Sequence, residues 1–299
     1  MSLLSKLIKP RCKHRHSEKS HRNCFVNGVP RHLIKADVRL PKVLVFDIET
    51  SPLKAYIWQH SVWGGNVSDG QVISQWFMLT WAAKWLYDDE AMSDGLTAKE
   101  ALAEDDSRIV ASLWKLLDEA DIVIAHNGVK FDVPNLLTRF VVNDMTPPSP
   151  FQNIDTLKVA RRQFGFTHNS LNALAKIFGF DVKLETNFDL WKKSVDGDKQ
   201  ALKYMEEYNV EDVRLLEQVY LKLRPWMTSH PNLGLYLLSD GALCPSCGST
   251  DITWLEDKYY YTQTSRFPVY TCKCGAYGRS RKSDLPKDVK KSLTVSLAR

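Results

Sequence analysis

Acidic side chains follow apolar segments in the middle of this sequence, where their carboxylates could bind metal ions. Asp47 and Glu49 end the apolar run of "VLVFDIETSP" (43–52), and Asp132 ends "AHNGVKFD" (125–132). Side chains alternate along a strand, so Asp47 and Glu49 share one face of theirs. Clustered carboxylates prefer Mg²⁺ or Mn²⁺, and two such ions can activate a water and stabilise the leaving oxygen of a phosphodiester.

A third acidic segment, "EEYNVEDVRLLEQVY" (206–220), predicts a helix. Tyr208 and Asp212 are four residues apart in it and therefore lie on one helix face. A tyrosine with its ordinary pKa of about 10 is a poor base without help from a metal. If the fold brings Asp212 to the carboxylates of the first two segments, the set predicts a metal-dependent hydrolytic site.

Four cysteines near the C-terminus predict a zinc site. They occur as "CPSCGS" (244–249) and "TCKCGAYGRS" (271–280), separated by the strand-like "KYYYTQTSRFPVYT". Four thiolates suit tetrahedral Zn²⁺, and a completely filled ligand set is typical of a structural metal. The segment resembles a zinc ribbon, although its second pair is Cys-x-Cys rather than Cys-x-x-Cys. The expected ligands are Cys244, Cys247, Cys272 and Cys274.

A second cluster of metal-binding residue types lies near the N-terminus in "CKHRHSEKSHRNC" (12–24). Two cysteines and two histidines could form a further zinc site, for which we select Cys12, His14, His21 and Cys24. The alternative is a basic arm that binds nucleic acid through its charge. Two zinc ions per chain would favour the first interpretation and one the second.

Charge is distributed unevenly along the 299 residues, although the formal net charge is only +5. Residues 1–42 carry a net charge of +9, residues 43–240 carry −9, and residues 241–299 carry +5. Basic terminal segments commonly contact polyanions, of which nucleic acid is the most frequent. The alternative is that both ends are solvated tails.

The periodicity of the central segment predicts an α/β fold with a mixed sheet. Residues 43–49 form a buried strand, and the long apolar segment 72–87 suits one or two strands. "DIVIAHNG" predicts another strand, and "NIDTLKVARRQF" a short strand that runs into a helix. The remaining helices are expected at 105–120 with acidic caps, from Pro134 to about Val142, at 169–178 and at roughly 198–222.

The sequence contains no apolar stretch of about 18 residues, which a membrane span would need. Its N-terminus, in which a short apolar patch is soon followed by basic residues, does not resemble a secretory signal. We therefore expect a cytoplasmic protein without a membrane partner.

The three acidic segments "FDIET", "AHNGVKFD" and "YNVED" resemble, in this order, the three exonuclease motifs of the DEDD superfamily. The resemblance implies a ribonuclease H-like fold and removal of nucleotides from 3′ ends. It also implies the tyrosine subtype, because Tyr208 precedes the last aspartate by four residues, whereas the histidine subtype would have His at position 207. By resemblance, the tyrosine orients or helps to deprotonate the attacking water, and the metal ligands are Asp47, Glu49, Asp132 and Asp212.

A wider resemblance covers roughly residues 42–228, through "WFMLTWAAKWL", "SLNALAKIFGF" and "NVEDVRLLEQVYLKLRPW". These segments are similar to a group of proteins, many of them phage-encoded, that are related to the exonuclease domain of family B polymerases. The resemblance implies a free-standing enzyme in a host cytoplasm. The expected domains are a basic Cys/His-rich arm (1–41), a ribonuclease H-like exonuclease domain (42–230), a zinc ribbon (241–282) and a basic tail (283–299).

The expected activity is 3′–5′ exonuclease action on DNA with two Mg²⁺ or Mn²⁺ ions. Single-stranded DNA, DNA 3′ ends and proteins of replication or recombination are the expected partners. The alternatives are RNA trimming, structure-selective endonuclease action, or a zinc-containing nucleic-acid-binding adaptor with an inactive nuclease fold.

Overall fold

The computed structural model describes most of the chain from residue 40 onward. The ranges described are Phe25–Val26, Val29–Pro30, 40–58, 67–181, 186–237 and 241–297. The N-terminal cluster formed by Cys12, His14, His21 and Cys24 lies outside the described residues. The chain divides into two compact units, one from Lys42 to Tyr220 and one that contains Leu221–Arg299.

Strands and helices alternate over much of the described chain. The strands are β1 (Phe25–Val26), β2 (Val29–Pro30), β3 (Val43–Thr50), β4 (Lys54–Ala55), β5 (Val72–Ser74), β6 (Met78–Trp85), β7 (Met92–Gly95), β8 (Ile122–Ala125), β9 (Gln152–Asp155), β10 (Ile252–Tyr261), β11 (Arg266–Cys272) and β12 (Tyr277–Arg279). The helices are α1 (Ala98–Ala103), α2 (Ser107–Glu119), α3 (Asp132–Val142), α4 (Thr156–Gln163), α5 (Leu171–Phe178), α6 (Phe188–Val195), α7 (Lys199–Leu223), α8 (Gly234–Leu237) and α9 (Lys287–Ser292). Among these described helices, none has the length and apolar character that crossing a membrane requires.

A mixed sheet forms the centre of the first unit, with the strand order β7-β6-β3-β8-β9. Strand β3 pairs antiparallel with β6, which pairs antiparallel with β7, whereas β3, β8 and β9 run parallel to one another. Parallel neighbours need a crossover connection, and α3 provides the one between β8 and β9. The predicted α/β architecture with a mixed sheet is therefore confirmed.

One face of β3 is buried in the main hydrophobic core. Leu44, Phe46 and Ile48 pack there with residues of α2, among them Ile109 and Leu113. Side chains alternate along a strand, so Asp47 and Glu49 lie on the opposite face of β3. The apolar face fixes the strand in the sheet, and this anchoring determines where the two carboxylates project.

A buried ion pair joins the start of α2 to α3. Of the two acidic residues expected to cap α2, Asp105 accepts the Ser107 amide, whereas the Asp106 side chain makes no capping hydrogen bond. The Asp106 carboxylate accepts the backbone N–H of Met78 at 2.8 Å and is bound by the Arg139 guanidinium through Nε at 2.6 Å. Breaking a buried pair of this kind typically costs about 3–5 kcal/mol. The pair therefore holds α3, which begins with Asp132, against the sheet.

Several elements differ from the sequence prediction. Helix α3 begins at Asp132 rather than at Pro134, because proline is tolerated in the first helical turn and an acidic residue is favoured there. The edge strand β7, together with α1 and α6, was not predicted. Helix α1 did carry a signal, since Thr97 and Glu100 form a capping box in the structure.

Candidate active site

Strand β3 presents two carboxylates on its face away from the core. Asp47 is paired with Ala82 and Glu49 with Thr80 of β6, and both acidic side chains are partly buried. The pairing register shifts between Glu49 and Thr50. Glu49 therefore lies where the regular ladder ends, and its side chain remains available to the site.

Helix α7 crosses this face and is attached to the sheet at two acidic side chains. Ser93 of β7 donates to Glu206 at 2.7 Å. Glu217, further along the helix, forms a largely buried ion pair with Lys84 of β6 and accepts the Tyr87 amide at 2.8 Å. These contacts fix the rotation of α7 about its axis, so the helix face between them points towards β3.

That face of α7 carries three polar side chains that reach the site. The fully buried Asn209 donates from Nδ2 to the Asp47 carboxylate at 2.7 Å. The Tyr208 hydroxyl donates to Asp212, as the four-residue spacing on one helix face allows. One oxygen from each of Asp47, Glu49 and Asp212 lies within 4.8 Å of the other two.

Asp132 faces the same site from the first turn of α3. Only 1% of the residue is exposed, and neither carboxylate oxygen makes a well-formed hydrogen bond within the described residues. After burial, repulsion from Asp132 is the largest cause of the raised pKa of Asp47, which places the two groups close together. Of the four carboxylates predicted from the sequence, the structure thus brings Asp47, Glu49 and Asp212 together, with Asp132 beside them but outside the group whose oxygens all lie within 4.8 Å of one another.

Burial and mutual repulsion disfavour the charged forms of these carboxylates. Burial, then repulsion from Asp212 and Asp132, raises the pKa of Glu49 to about 8. Burial raises the pKa of Asp132 to about 7, against the opposing effect of backbone N–H groups, and that of Asp212 to about 6. The pKa of Asp47 is also raised well above its ordinary value. The site therefore lacks the positive charge that would stabilise these carboxylates in their ionised forms.

The donor set fits hard divalent cations. Carboxylate oxygens are the ligands that Mg²⁺ and Mn²⁺ prefer, and a bound cation would offset the repulsion that adds to burial in raising the pKa values of Asp47 and Glu49. The buried oxygens of Asp132, which lack a well-formed hydrogen bond in the described part of the chain, are suited to a ligand of this kind. The residues that could hold the cations are Asp47, Glu49, Asp132 and Asp212.

Two contacting residues were not predicted from the sequence. Asn209 lies beside Tyr208 in "YNVED", three positions before Asp212, and this helical spacing was the one available signal. Trp191 of α6 donates a side-chain hydrogen bond to Glu49 and so opposes the rise of its pKa. No sequence signal connected Trp191 to the site, because the contact depends on how α6 packs.

The turn after β8 is held by Asp155, which had not been selected as a metal ligand. Its carboxylate accepts the amides of Asn127 and Val129 at 3.1 and 3.2 Å, and it caps α4 by accepting the Lys158 amide. Asn127 has a φ of 74°, and a Cβ on Gly128 would lie 2.5 Å from that of Ala125. The side chain of Asp155 is therefore committed to shaping the loop that leads to α3.

His126 in the same turn has a structural environment. Its Nδ1 lies 2.8 Å from the Thr156 hydroxyl and its Nε2 lies 2.9 Å from the carbonyl oxygen of Asn169. Burial lowers the pKa of the imidazole, so the ring is neutral at pH 7. These contacts favour the interpretation of His126 as a turn-stabilising residue rather than a catalytic one.

The four C-terminal cysteines converge in the second unit. Their sulfur atoms all lie within 4.8 Å of one another, with 3.8 Å between Cys244 and Cys274 and 3.6 Å between Cys247 and Cys272. A disulfide needs about 2.05 Å, whereas zinc–sulfur bonds of about 2.3 Å in a tetrahedron place the sulfurs about 3.8 Å apart. The geometry is therefore compatible with a zinc site.

Both cysteine pairs are followed by a glycine in the left-handed region, with φ of 72° at Gly248 and 90° at Gly275. The amide of Gly248 donates to the Cys244 carbonyl at 2.8 Å, and that of Gly275 to the Cys272 carbonyl at 2.9 Å. These turns aim the sulfurs at a common point. Mutual hydrogen bonds among the four thiols lower the pKa of Cys244 and Cys274 and raise that of Cys247 and Cys272, so in the metal-free protein two of the four favour the thiolate that a metal requires.

Comparisons with known proteins give one family match. The family model described as RNase_H superfamily matches residues 44–224, which is more than half of the chain. No curated protein matches the sequence significantly. Similar solved structures include that of the family B DNA polymerase from the hyperthermophilic archaeon Pyrobaculum calidifontis, with 17% sequence identity and a TM-score of 0.47. The similarity covers 67% of this chain and 26% of the polymerase chain.

Proposed function

Because the chain belongs to the ribonuclease H superfamily, we propose that it is a metal-dependent 3′–5′ exonuclease that hydrolyses phosphodiester bonds at DNA 3′ ends. The observation that carries this proposal is the convergence of Asp47, Glu49 and Asp212 within 4.8 Å, with the buried Asp132 facing them. Hydrolysis of a polyanion needs cations at such a site, and the carboxylates provide their ligands.

The four carboxylates are proposed to hold two Mg²⁺ or Mn²⁺ ions, which when bound supply charge neutralisation at the phosphate and lower the pKa of water. The remaining residues of the site position these ligands. Asn209 orients Asp47 through its 2.7 Å hydrogen bond, and Trp191 orients Glu49. Loss of such a supporting hydrogen bond commonly lowers metal affinity or activity about 10–100-fold.

Tyr208 is proposed to orient the attacking water, as in the tyrosine subtype of the DEDD superfamily. Burial and the neighbouring Asp212 raise the pKa of its hydroxyl. Without bound metal, the Tyr208 hydroxyl therefore keeps its proton at neutral pH and acts as a hydrogen-bond donor. This property supports a positioning role for Tyr208 rather than one as general base.

The segments outside the nuclease domain (42–230) are proposed to hold the substrate. A zinc ribbon (241–282) would bind one structural Zn²⁺ through Cys244, Cys247, Cys272 and Cys274, and a basic tail (283–299) would follow it. The arm of residues 1–41, with Cys12, His14, His21 and Cys24 as its candidate zinc ligands, would add positive charge. These basic segments suit single-stranded DNA or DNA 3′ ends as partners.

The proposal is tested with 5′-labelled single-stranded DNA and Mg²⁺. We expect the protein to shorten the DNA stepwise from its 3′ end and to leave a ladder of labelled products. Asp47→Ala and Asp212→Ala should each reduce the rate at least about a hundredfold, because each removes a cation ligand. Glu207→Ala is the matched control, since Glu207 lies on the same helix with its side chain 57% exposed.

Four outcomes would contradict the proposal. Cleavage that survives both aspartate substitutions would place the chemistry elsewhere or in a contaminant. Internal cuts without a ladder would indicate an endonuclease, and shortening of RNA but not DNA would indicate an RNA-trimming enzyme. Binding without any cleavage, in the presence of either Mg²⁺ or Mn²⁺, would indicate an adaptor with an inactive nuclease fold.

A further inference from the structure

The antiparallel sheet of the C-terminal unit, in the order β10-β11-β12, has two different faces. On β11, Tyr270 and Cys272 lie on the face that carries the metal-binding sulfurs, and both are buried. Tyr270 covers β12 on that side, since a Cβ on Gly278 would lie 2.2 Å from its ring. Alternation along the strand places Phe267, Val269 and Thr271 on the opposite face.

Neighbouring strands add further residues to this opposite face, because directly paired residues of an antiparallel sheet project to the same side. Tyr260 pairs with Phe267, Arg279 with Val269, and Tyr277 with Thr271. We call this surface the aromatic face; its members are Thr253, Tyr260, Phe267, Val269, Thr271, Tyr277 and Arg279.

The aromatic face is exposed although much of it is apolar. Tyr260 is 51% exposed and Tyr277 is 71% exposed, and both lie on a regular sheet rather than in a loop. The face contains no carboxylate, and residues 241–299 carry a net charge of +5. Rigid exposed rings on a basic surface are suited to a ligand that has both flat apolar groups and negative charge.

Arg279 gives this face its local positive charge. Its guanidinium carbon lies 4.4 Å from the Phe267 ring centroid and 5.0 Å from that of Tyr260. Within the described residues Arg279 makes no ion pair, and its hydrogen bond is to the Ser280 carbonyl. Arg266 on the metal side, by contrast, is bound by Asp284 at 2.9 Å. Arg279 therefore holds an uncompensated charge among aromatic rings.

We propose that the aromatic face binds single-stranded nucleic acid, with bases stacked on Tyr260 and Tyr277 and the backbone phosphates drawn to Arg279. Aromatic rings stack any base, and an arginine can pair with phosphate or stack on a base. A duplex is disfavoured because its bases are already stacked and paired inside the helix. The choice of nucleic acid as the polyanion rests on the proposed nuclease function, whereas the location of the surface does not.

The proposal is tested by fluorescence anisotropy with the full-length, zinc-loaded chain. The probe is a labelled oligothymidine of about 20 nucleotides, longer than the site of a typical single-strand-binding module. Mg²⁺, Mn²⁺ and chelators are left out, so that no hydrolysis occurs and zinc is retained. We expect Tyr260→Ala and Tyr277→Ala each to weaken binding about fivefold or more, and Arg279→Gln to weaken it by a similar factor.

Two variants are matched controls. Tyr261→Ala removes a ring of the same type from the next position of β10, which is 66% exposed but projects to the metal side. Its affinity should remain within about twofold of the wild type, because the aromatic face is intact. Tyr260→Phe keeps the ring and should also bind within about twofold, since stacking does not need the hydroxyl.

Any one of three results would contradict the proposal that the aromatic face binds single-stranded nucleic acid. The Tyr260→Ala/Tyr277→Ala double variant would bind as the wild type does, Tyr261→Ala would lose as much affinity as Tyr260→Ala, or the wild type would not bind the oligonucleotide. Failure of the nuclease proposal is distinguishable, because binding is measured without catalytic metal. Loss of binding in the Tyr260→Ala protein supports the aromatic face even if no variant hydrolyses DNA.

Discussion

At the scale of single residues, the carboxylate cluster makes the metal-free chain less stable as pH rises. The pKa of Glu49 is raised to about 8, that of Asp132 to about 7 and that of Asp212 to about 6. In the unfolded chain these groups titrate near their ordinary values of about 4. Between these limits the folded state binds more protons than the unfolded state, so the free energy of unfolding decreases with increasing pH.

Replacing Asp132 by Asn should therefore stabilise the metal-free protein at pH 8. We expect an increase of about 1–2 kcal/mol in the free energy of unfolding, visible as a rise of a few degrees in Tm (about 2–6 °C). The gain should disappear at pH 4, where the carboxyls are protonated. Thermal unfolding in chelator-treated buffer at pH 8 and at pH 4 measures the gain and its disappearance. Glu207→Gln, which changes an exposed charge on α7, is the control.

Saturating Mg²⁺ should make the wild type more stable than the Asp132→Asn variant, because the wild type binds the cation more strongly. A variant that is less stable than the wild type at pH 8 without metal would show that Asp132 has a favourable partner in the free protein.

Asn209 is the residue whose substitution best separates positioning from metal ligation. Its Nδ2 holds Asp47, and its Oδ1 is buried without a partner among the described residues. Asn209→Ala should reduce nuclease activity about 10–100-fold and raise the Mg²⁺ concentration needed for half-maximal rate. The exposed Asn153→Ala on β9 is the matched control. An unchanged Mg²⁺ dependence together with activity near that of the wild type would refute the positioning role.

Sequence alone predicted the carboxylates but not the residues that orient them. Acidic side chains at strand ends are conspicuous because a buried strand rarely carries them, and their order resembled known motifs. Asn209 and Trp191 occur in helices, where an amide or an indole is compatible with many roles. Their contacts to Asp47 and Glu49 arise from tertiary packing, which no local pattern encodes.

At the scale of elements, the buried segments were predicted more accurately than the edges. Strand β3 contains a continuous apolar run, and helices α2 and α7 have apolar residues at helical spacing. The predicted bounds of these three elements differ from those observed by one or two residues. Strand β7, with the sequence "MSDG", has no alternating pattern and exists because β6 offers it a pairing edge. Helix α6 was missed because it is only eight residues long, which is too short for its apolar residues to establish a helical period.

The three-stranded sheet of the C-terminal unit is the element expected to depend on zinc. Its own core is small, with Cys244, Cys272 and Ala276 as the buried members of the cluster there. Structural zinc contributes about 10–16 kcal/mol in small zinc modules, far more than so few apolar contacts supply. Removal of a ligand should therefore unfold β10, β11 and β12.

Cys247→Ser should abolish protection of backbone amides between 252 and 279 in hydrogen exchange, whereas amides of β3 should remain protected. Mass spectrometry of peptides from both regions measures this, and metal content should decrease by one zinc ion per chain. Thr253→Ser, on the exposed side of the same sheet, is the control. Undiminished protection of β11 in the Cys247→Ser protein would mean that the sheet folds without metal.

At the scale of the whole molecule, the charge pattern separates an acidic centre, which carries the proposed metal ligands, from basic ends that are proposed to bind the substrate. Residues 43–240 are acidic, whereas the segments on both sides of them are basic. Acidic residues suit the binding of cations but repel DNA, so contacts to phosphates should come mainly from the basic segments. Each such contact contributes about 0.7 to the slope of log affinity against log salt concentration for a single strand.

The double variant Arg281→Gln/Lys282→Gln should therefore lower the magnitude of this slope by about 1.4. Both side chains are exposed in the C-terminal unit. Lys115→Gln, an exposed substitution on α2 in the acidic centre, should leave the slope unchanged. Anisotropy titrations of the oligothymidine over a range of salt concentrations measure all three slopes, and equal slopes would contradict a substrate-binding role for the C-terminal segment.

The hydrogen bond between Asn209 and Asp47 has a consequence for synthesis of the protein. The two residues are 162 positions apart, and Asp212 follows still later. A ribosome must therefore translate all five strands of the central sheet and more than half of α7 before the carboxylates can meet. An incomplete nascent chain that lacks this helix cannot assemble the proposed site, so the proposed activity would begin only after α7 has been translated.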